Sequence, residues 1–245
     1  MKKYKLTKEV KEEHGRKLYR IKALIDFGNV KKGEKGGFIE KEENLSQENN
    51  AWVSGNAQVY DDARVSGNAQ VYDDARVSDN AWVSGNAYIS DNACVSGNAR
   101  VSGNAQVYDD ARVSDNAWVS GNAYISDNAC VSGNAWVYDD ARVSDNARVY
   151  GNAWVYGVAC VYGDAWVSDN ARVYGNARVY GNARVFGNAW IYGNLKIKGG
   201  RFFYTKLKSE TIERIENDEE YETLCINPEL GEFIIVRKRT KRQES

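Results

Sequence analysis

The stretch VSGNAQVYDDARVSDNAWVSGNA (Val101–Ala123) repeats a six-residue pattern that governs most of the chain. Val or Ile returns at every sixth position, with Ala two places before it and Asn or Asp three places after it. Within the unit Ala–x–Val–y, apolar residues alternate with variable ones, which is the period of a strand with one buried face. The next two residues, Gly or Asp and then Asn or Asp, favour turns because they adopt left-handed conformations at low cost. Each hexad is therefore predicted to be a short strand followed by a corner.

The hexads divide the chain into three segments. Residues 51–198 carry the repeat, whereas residues 1–50 and 199–245 have ordinary sequence with strand-like runs at 17–27, 201–207 and 231–237. A run of identical short units without helices between them predicts a solenoid. An uncovered terminal coil would expose unpaired backbone groups, so we interpret the two non-repetitive segments as an N-terminal cap and a C-terminal β cap with a basic tail.

The hexads resemble those of the left-handed parallel β-helix, the hexapeptide-repeat superfamily that includes many bacterial acyltransferases. The resemblance covers residues 51–198, and it implies an all-β, single-stranded, left-handed solenoid of about eight triangular coils, each built from three hexads. The stretch DFGNVKKGEKGGFIEKEENLSQ (Asp26–Gln47) also resembles the start of the YdcK-type hexapeptide-repeat proteins.

Composition limits the classes of function. The formal net charge is −1, so no global field attracts nucleic acid or acidic lipid. The N-terminus is polar and no long apolar run follows it, which predicts a soluble, cytoplasmic protein without a membrane partner. The four cysteines, at 94, 130, 160 and 225, form no CxxC pattern and no paired framework. We therefore expect neither a metal site nor a disulfide scaffold.

An 18-residue coil sorts the outward-facing residues into columns along the rod. One face collects five of the seven tryptophans, together with arginines and tyrosines. The predicted binding face comprises Arg64, Trp82, Arg100, Trp118, Trp136, Tyr138, Trp154, Tyr156, Arg172, Tyr174, Trp190 and Tyr192. These rings either cover one another and stiffen the rod, or form a contact surface, since Trp, Tyr and Arg are enriched at interface hot spots.

The contact surface would serve self-association or a protein partner, and we expect a homo-oligomer, a dimer or a trimer, packed through it. A glycan or single-stranded nucleic acid is less favoured, although aromatic–Arg platforms can bind those too. A bacteriophage or mobile-element protein acting on a host factor would fit this description.

A second column contains carboxylates in register on five consecutive coils. This acidic ridge comprises Asp73, Asp91, Asp109, Asp127 and Asp145. Like charges at this spacing repel. We interpret the ridge as solvated and offset by nearby arginines, with weak cation binding or a basic partner as alternatives. The other two corners are mostly Asn columns, whose amides can hydrogen-bond along the rod.

Catalytic residues are not indicated. The acyltransferases of the superfamily use a histidine as general base, but the repeat contains none, and His14 is the only histidine of the chain. No catalytic group and no cofactor are therefore predicted. The favoured function is a non-catalytic binding or scaffold protein, and the alternative is a degenerate or unusual acyltransferase-like protein.

Overall fold

The computed structural model describes residues 1–13, 15–202, 221–225 and 234–238. Three strands precede the repeat: β1 (Tyr4–Glu13), β2 (Arg16–Ala23) and β3 (Lys35–Ile39). β1 pairs antiparallel with β2, and β2 pairs antiparallel with β3. A single 3₁₀ turn, η1 (Glu42–Asn44), follows, and no α-helix occurs in the described part of the chain.

The solenoid consists of short strands that form three parallel sheets. Sheet 1 continues from β3 through β5 (Gln58–Val59), β8 (Arg76–Val77), β11 (Cys94–Val95), β14 (Arg112–Val113), β17 (Cys130–Val131), β20 (Arg148–Val149), β23 (Trp166–Val167), β26 (Arg184–Val185) and β29 (Arg201–Phe202). Sheet 2 comprises β4 (Trp52–Val53), β7 (Gln70–Val71), β10 (Tyr88–Ile89), β13 (Gln106–Val107), β16 (Tyr124–Ile125), β19 (Arg142–Val143), β22 (Cys160–Val161), β25 (Arg178–Val179) and β28 (Lys196–Ile197). Sheet 3 comprises β6 (Arg64–Val65), β9 (Trp82–Val83), β12 (Arg100–Val101), β15 (Trp118–Val119), β18 (Trp136–Val137), β21 (Trp154–Val155), β24 (Arg172–Val173) and β27 (Trp190–Ile191).

The predicted all-β parallel solenoid is confirmed. Consecutive coils pair in register at an offset of 18 residues, as between Trp118 and Trp136. The structure has about nine turns, one more than the repeat alone predicts, because β3 and β29 add strands beyond the hexads. The remaining described strands, β30 (Tyr221–Cys225) and β31 (Ile234–Lys238), pair antiparallel with each other.

The core is a narrow column of the Ala and Val or Ile residues of each hexad. Val119 and its equivalents on neighbouring coils are fully buried, and so are the alanines two places before them. Burying apolar surface at about 25 cal/mol per Å² makes this column the main source of stability. The inward assignment of these positions from the sequence is therefore confirmed.

The first turn position of each hexad has a left-handed backbone. Glycines hold it at φ values such as +68° for Gly121, and aspartates hold it at values such as +56° for Asp127. A Cβ added to Gly121 would lie 2.6 Å from the backbone nitrogen of Asp139 on the next coil. The aspartate turns use a φ about 10° smaller, which accommodates the Cβ between closely stacked coils.

The N-terminal segment saturates the carbonyl groups that the first coil directs away from the second. The backbone nitrogens of Phe38 and Ser46 donate to Ala57 and Val65 at 2.8 and 2.9 Å. The buried ammonium of Lys3 donates to the carbonyl of Ala51 at 2.9 Å. Burial lowers the pKa of Lys3 to about 8. Without these donors, the carbonyl groups at this end of the rod would be unpaired. The N-terminal segment therefore terminates the stack of strands.

Candidate functional site

The outward surface of sheet 3, which we name the Trp–Tyr face, carries the predicted binding residues in two columns. The strand pairs place the first column in unbroken register: Arg64, Trp82, Arg100, Trp118, Trp136, Trp154, Arg172 and Trp190. The second column lies two residues further along the chain, directly after each strand: Ser66, Ser84, Ser102, Ser120, Tyr138, Tyr156, Tyr174 and Tyr192. The structure thus brings all twelve predicted face residues onto one surface.

The tryptophans of the first column contact one another in the middle of the rod. The ring centroids of Trp118 and Trp136 lie 4.9 Å apart, and those of Trp136 and Trp154 lie 5.2 Å apart with planes only 4° from parallel. The guanidinium of Arg172 stacks between Trp154 and Trp190 at 4.7 and 5.0 Å from their centroids. Aromatic and cation–π contacts therefore join the column along most of its length.

The tyrosines of the second column form a regular stack. Neighbouring centroids are 5.0, 4.8 and 5.1 Å apart from Tyr138 to Tyr192, and the planes deviate by at most 6°. Burial raises the pKa of Tyr138, Tyr156 and Tyr174. Because the rings cover each other's faces, they present edges and hydroxyl groups outward. A sugar ring or a nucleobase, which would stack on an open aromatic face, has no such face within this stack.

The N-terminal part of the face has a different surface. Here serines replace tyrosines in the second column, and the indole nitrogens of Trp82 and Trp118 donate to the hydroxyls of Ser66 and Ser102 at 3.1 and 3.3 Å. Each of these indoles reaches back over the preceding coil. Trp82 remains 47% exposed, and Trp136, on the first coil of the tyrosine half, remains 38% exposed. The two halves of one face therefore differ in relief, with a low serine half and a raised tyrosine half.

Val158 is a feature of this surface that the sequence analysis missed. It occupies the corner beside Tyr156 and is 51% exposed. On the same corner, side-chain amides hydrogen-bond from coil to coil, as from Asn86 to Asn104 at 3.0 Å. In hexads 51–198 the last position is otherwise Asn or Asp wherever the pattern is intact, so an apolar side chain there was a visible signal. Val158 extends the apolar part of the tyrosine half around the corner.

The acidic ridge is in register, and its carboxylates are engaged within the rod. Oδ2 of Asp109 accepts from the backbone nitrogen of Asp127 at 3.2 Å, and Oδ2 of Asp127 accepts from that of Asp145 at 3.2 Å. Asp145 accepts from the nitrogen of Gly163 at 2.8 Å. Each of these three carboxylates thus accepts a hydrogen bond from the coil that follows, which offsets the repulsion between neighbours. In the described part of the chain, no group of three or more His, Cys, Asp or Glu residues is arranged to hold a metal ion.

Sheet 1 carries a basic groove that the sequence analysis also missed. Trp166 lies between the guanidiniums of Arg148 and Arg184, at 5.3 and 4.5 Å from their central carbons. A groove of about 470 Å³ runs along these residues and Arg201. Further along the same sheet, Cys94 and Cys130 flank Arg112 as free thiols. Both faces of the Trp166 indole are covered by cations, so the ring is not open for stacking.

Charge is unevenly distributed along the rod. Residues 51–140 contain twelve aspartates and four arginines, a net charge of −8. Residues 141–202 contain three aspartates, six arginines and two lysines, a net charge of +5. The overall charge near zero therefore conceals an acidic N-terminal part and a basic C-terminal part of the solenoid.

Several sequence-based predictions fall outside the described residues. His14 lies outside them, and so do residues 239–245, which include most of the basic tail. The proposed boundaries of the two caps stay predictions. Of the described residues, none belongs to a helix long and apolar enough to span a membrane.

Comparison with known proteins identifies the repeat. The family model described as the YdcK beta solenoid repeat matches eight stretches of the chain. These are residues 57–71, 69–85, 93–107, 105–121, 123–139, 141–157, 165–179 and 177–193. No curated protein matches the chain.

Proposed function

The chain belongs to the YdcK β-solenoid repeat family, and we propose that it acts as a non-catalytic scaffold that binds protein through its Trp–Tyr face. The observation that carries the proposal is the continuous aromatic and basic surface of sheet 3, in which Trp82 stays exposed and Trp136 stays exposed even though it stacks on Trp154. Large aromatic side chains that remain partly exposed over many coils are typical of contact surfaces.

The alternative that the rings serve only to stiffen the rod accounts for less of this surface. Stacking along the rod explains Tyr138 to Tyr192, whose faces are covered. It does not explain Val158, which interrupts the polar corner and is exposed beside the tyrosines. An exposed apolar residue at a position that can hold Asn contributes to binding more readily than to the rod's own stability.

A protein ligand suits the face better than a small molecule or a polymer of sugars or nucleotides. The stacked tyrosines offer edges and hydroxyls, which pack against side chains and donate hydrogen bonds. The partner is a second copy of the chain or a foreign protein, such as a host factor if the chain comes from a mobile element.

An acyltransferase-like activity is the second function to test. Its general base would have to be His14 or a carboxylate, and the ridge carboxylates such as Asp127 already accept backbone hydrogen bonds. We expect no saturable heat of binding when acetyl-CoA is titrated into the full chain in a calorimeter. Saturable binding that His14→Ala abolishes would favour the enzyme over the scaffold.

The scaffold function is tested by changing rings on two different sheets. Trp118→Ser combined with Trp136→Ser alters the Trp–Tyr face, whereas Trp166→Ser alters a tryptophan of sheet 1. Light scattering of each purified protein at micromolar concentration measures self-association, and tagged wild-type and variant proteins compared in host lysate measure foreign binding. We expect the double variant to lose association and Trp166→Ser to keep it.

Two results would contradict the proposal. One is a monomeric wild type that captures the same proteins as the double variant, which would leave the face without a partner. The other is equal loss of association in Trp166→Ser, which would place the binding surface elsewhere. Circular dichroism of all three proteins shows whether the β-solenoid is intact.

A further inference from the structure

We propose that the Trp–Tyr face binds the same face of a second copy, with the two rods antiparallel. The two-fold axis would lie in the interface, parallel to the strands, midway between β15 and β18. This inference rests on the proposed function and deepens it by naming the partner and its orientation. The order of residues in the two columns of sheet 3 sets this orientation.

Two identical flat faces can pack with two-fold symmetry in two simple ways. An axis along the rod makes the rods parallel, and each coil then faces the same coil of its partner. An axis along the strands makes the rods antiparallel, and the first of the eight strands then faces the eighth. An isologous contact of either kind requires a surface that is complementary to itself under the rotation.

The second column is self-complementary only in the antiparallel arrangement. It reads four serines and then four tyrosines along the rod. Antiparallel rotation places every serine opposite a tyrosine; the pairs are Ser66 with Tyr192, Ser84 with Tyr174, Ser102 with Tyr156 and Ser120 with Tyr138. Parallel rods would place the raised tyrosine half on itself and the low serine half on itself, which leaves a wedge-shaped gap.

The first column is compatible with the same rotation. It reads Arg, Trp, Arg, Trp, Trp, Trp, Arg, Trp along the rod. Antiparallel rotation places each of Arg64, Arg100 and Arg172 opposite a tryptophan of the partner, and it brings Trp118 opposite Trp136 at the centre. No guanidinium meets another guanidinium, and each of the three lies opposite an indole of the partner, so like charges are kept apart.

Charge favours the antiparallel arrangement as well. Divided at the axis, residues 51–127 contain ten aspartates and four arginines, a net charge of −6, and residues 128–202 contain five aspartates, six arginines and two lysines, a net charge of +3. Antiparallel rotation brings each of these halves beside the opposite half of the partner. Parallel rods would align like with like along their whole length. Complementary potentials of this kind steer association and suppress the wrong orientation.

The area suffices for a dimer of moderate stability. Eight strands at about 4.8 Å and a face about five residues wide give roughly 600 Å² per subunit. The total of about 1,200 Å² lies at the lower bound of stable protein interfaces. We therefore expect a dimer at micromolar concentration that dissociates on dilution.

Spin labels on the corner beside the face test the orientation. Asn68, Asn122 and Asn194 lie on one corner, at the first, fourth and eighth strands of sheet 3, and each is changed singly to Cys after the native cysteines are replaced by Ser. In antiparallel rods, paired labels at Asn122 are offset along the rod by about 5 Å, and those at Asn68 or Asn194 by about 34 Å. A mixture of chains labelled at Asn68 and at Asn194 gains a short distance that neither sample has alone.

A residue exchange tests the pairing itself. Ser84→Tyr would place a ring opposite the ring of Tyr174 in the partner, and we expect the dimer to weaken about tenfold. Adding Tyr174→Ser to the same chain restores a ring opposite a serine in each pair, so we expect the double variant to recover most of the affinity. Melting curves at low concentration, where both variants are monomeric, separate this recovery from effects on the fold.

The outcomes distinguish this inference from the function on which it rests. A dimer with equally short distances at Asn68, Asn122 and Asn194, or a double variant weaker than Ser84→Tyr, would overturn the antiparallel pairing and leave a protein-binding face. A monomer at high micromolar concentration would overturn the self-pairing and leave a foreign protein as the ligand. A short distance at Asn122, long distances at Asn68 and Asn194, and recovered affinity in the double variant would together establish the antiparallel dimer.

Discussion

The two halves of the Trp–Tyr face share one backbone and differ in what their side chains do. Trp82 in the serine half and Trp154 in the tyrosine half each donate a backbone hydrogen bond of 2.9 Å to the next coil. Yet Trp82 reaches back to the hydroxyl of Ser66, whereas Trp154 stacks on Trp136 and Arg172. Serine in the second column leaves room for the indoles of Trp82 and Trp118 to lean, whereas Tyr138 occupies that space beside Trp154.

The turn residues at one corner of the solenoid also differ between the earlier and the later coils. The corner that carries the acidic ridge holds Asp127 and Asp145 on earlier coils, and Gly163 and Gly181 on later ones. Both residue types adopt the left-handed conformation there. Aspartate adds a hydrogen bond to the next coil, and glycine adds none. The solenoid backbone thus accepts either aspartate or glycine at this turn position. Which of the two is present determines the charge and the hydrogen bonding of that corner.

The largest expected loss of stability comes from disrupting the buried core, which the two halves share. Val119→Asp would bury a carboxylate without a partner in the fully buried core beneath the serine half. We expect a loss of several kcal/mol in the free energy of unfolding, since an unpaired buried charge is strongly destabilising. Thermal melts followed by circular dichroism measure it.

Ser120→Asp is the matched control, at the residue that directly follows the same strand and on the outward side. We expect a change well below that of Val119→Asp. Equal effects of the two substitutions would mean that the inward and outward positions do not differ as the structure has them.

Most of this architecture can be predicted from the sequence, because each hexad is dictated by local rules. The alternation around Val119 fixes which side is buried, and the turn residues fix where the strand ends. The offset of 18 residues then aligns Trp118 with Trp136 and Asp109 with Asp127. The number of coils was underestimated by one because β3 and β29 lack the hexad pattern.

What the sequence did not predict are contacts that depend on side-chain conformation. Whether Trp82 leans on Ser66 or stacks on a neighbour depends on the space above the preceding coil. The aspartate bonds to backbone nitrogens depend on a φ that only the folded turn defines. Val158 is different, since it was visible in the sequence as a departure from the repeat and was overlooked.

Gly121→Ala sharpens the comparison of turns. The alanine Cβ would lie 2.6 Å from the backbone nitrogen of Asp139, at a φ of +68° that alanine adopts poorly. We expect a loss of about 2 kcal/mol in the free energy of unfolding, from backbone strain and displacement of the next coil. Urea denaturation followed by circular dichroism measures it.

The control for the turn is Asp127→Gly on the ridge corner. It removes the hydrogen bonds that Asp127 accepts from the nitrogen of Asp145 and from the hydroxyl of Ser126, but it relieves the left-handed strain of a residue with a Cβ. We expect these opposing effects to leave stability within about 1 kcal/mol of wild type. If Gly121→Ala were as mild as Asp127→Gly, close backbone stacking at the glycine corners would be wrong.

Serine substitutions of two tryptophans test the difference between the halves directly. Trp154 contacts Trp136, Arg172 and the edge of Tyr138, whereas Trp82 is bonded to Ser66 and is nearly half exposed. We expect Trp154→Ser to cost about 2 kcal/mol of stability and Trp82→Ser less than about 1 kcal/mol. The melts are run at low concentration, so that dissociation of any oligomer does not contribute. Equal losses would indicate that the stacked half is no more tightly joined than the serine half.

The smallest expected effect is on the ionisation of the tyrosine stack. Burial raises the pKa of Tyr156, so folding favours its protonated form. The stabilisation linked to this shift is complete below the unfolded pKa of about 10 and is lost as the pH rises through the higher folded value. Absorbance of phenolate during an alkaline titration should show a late component in the wild type. Tyr156→Phe should remove part of that component and lessen the loss of stability above pH about 10, by a small amount because the ring stays partly exposed. Tyr156→Phe keeps the ring, so the stack and the fold should persist. A titration curve identical to that of the wild type would show that Tyr156 ionises like an ordinary surface tyrosine and that the raised half of the face is more open to water than its stacked rings indicate.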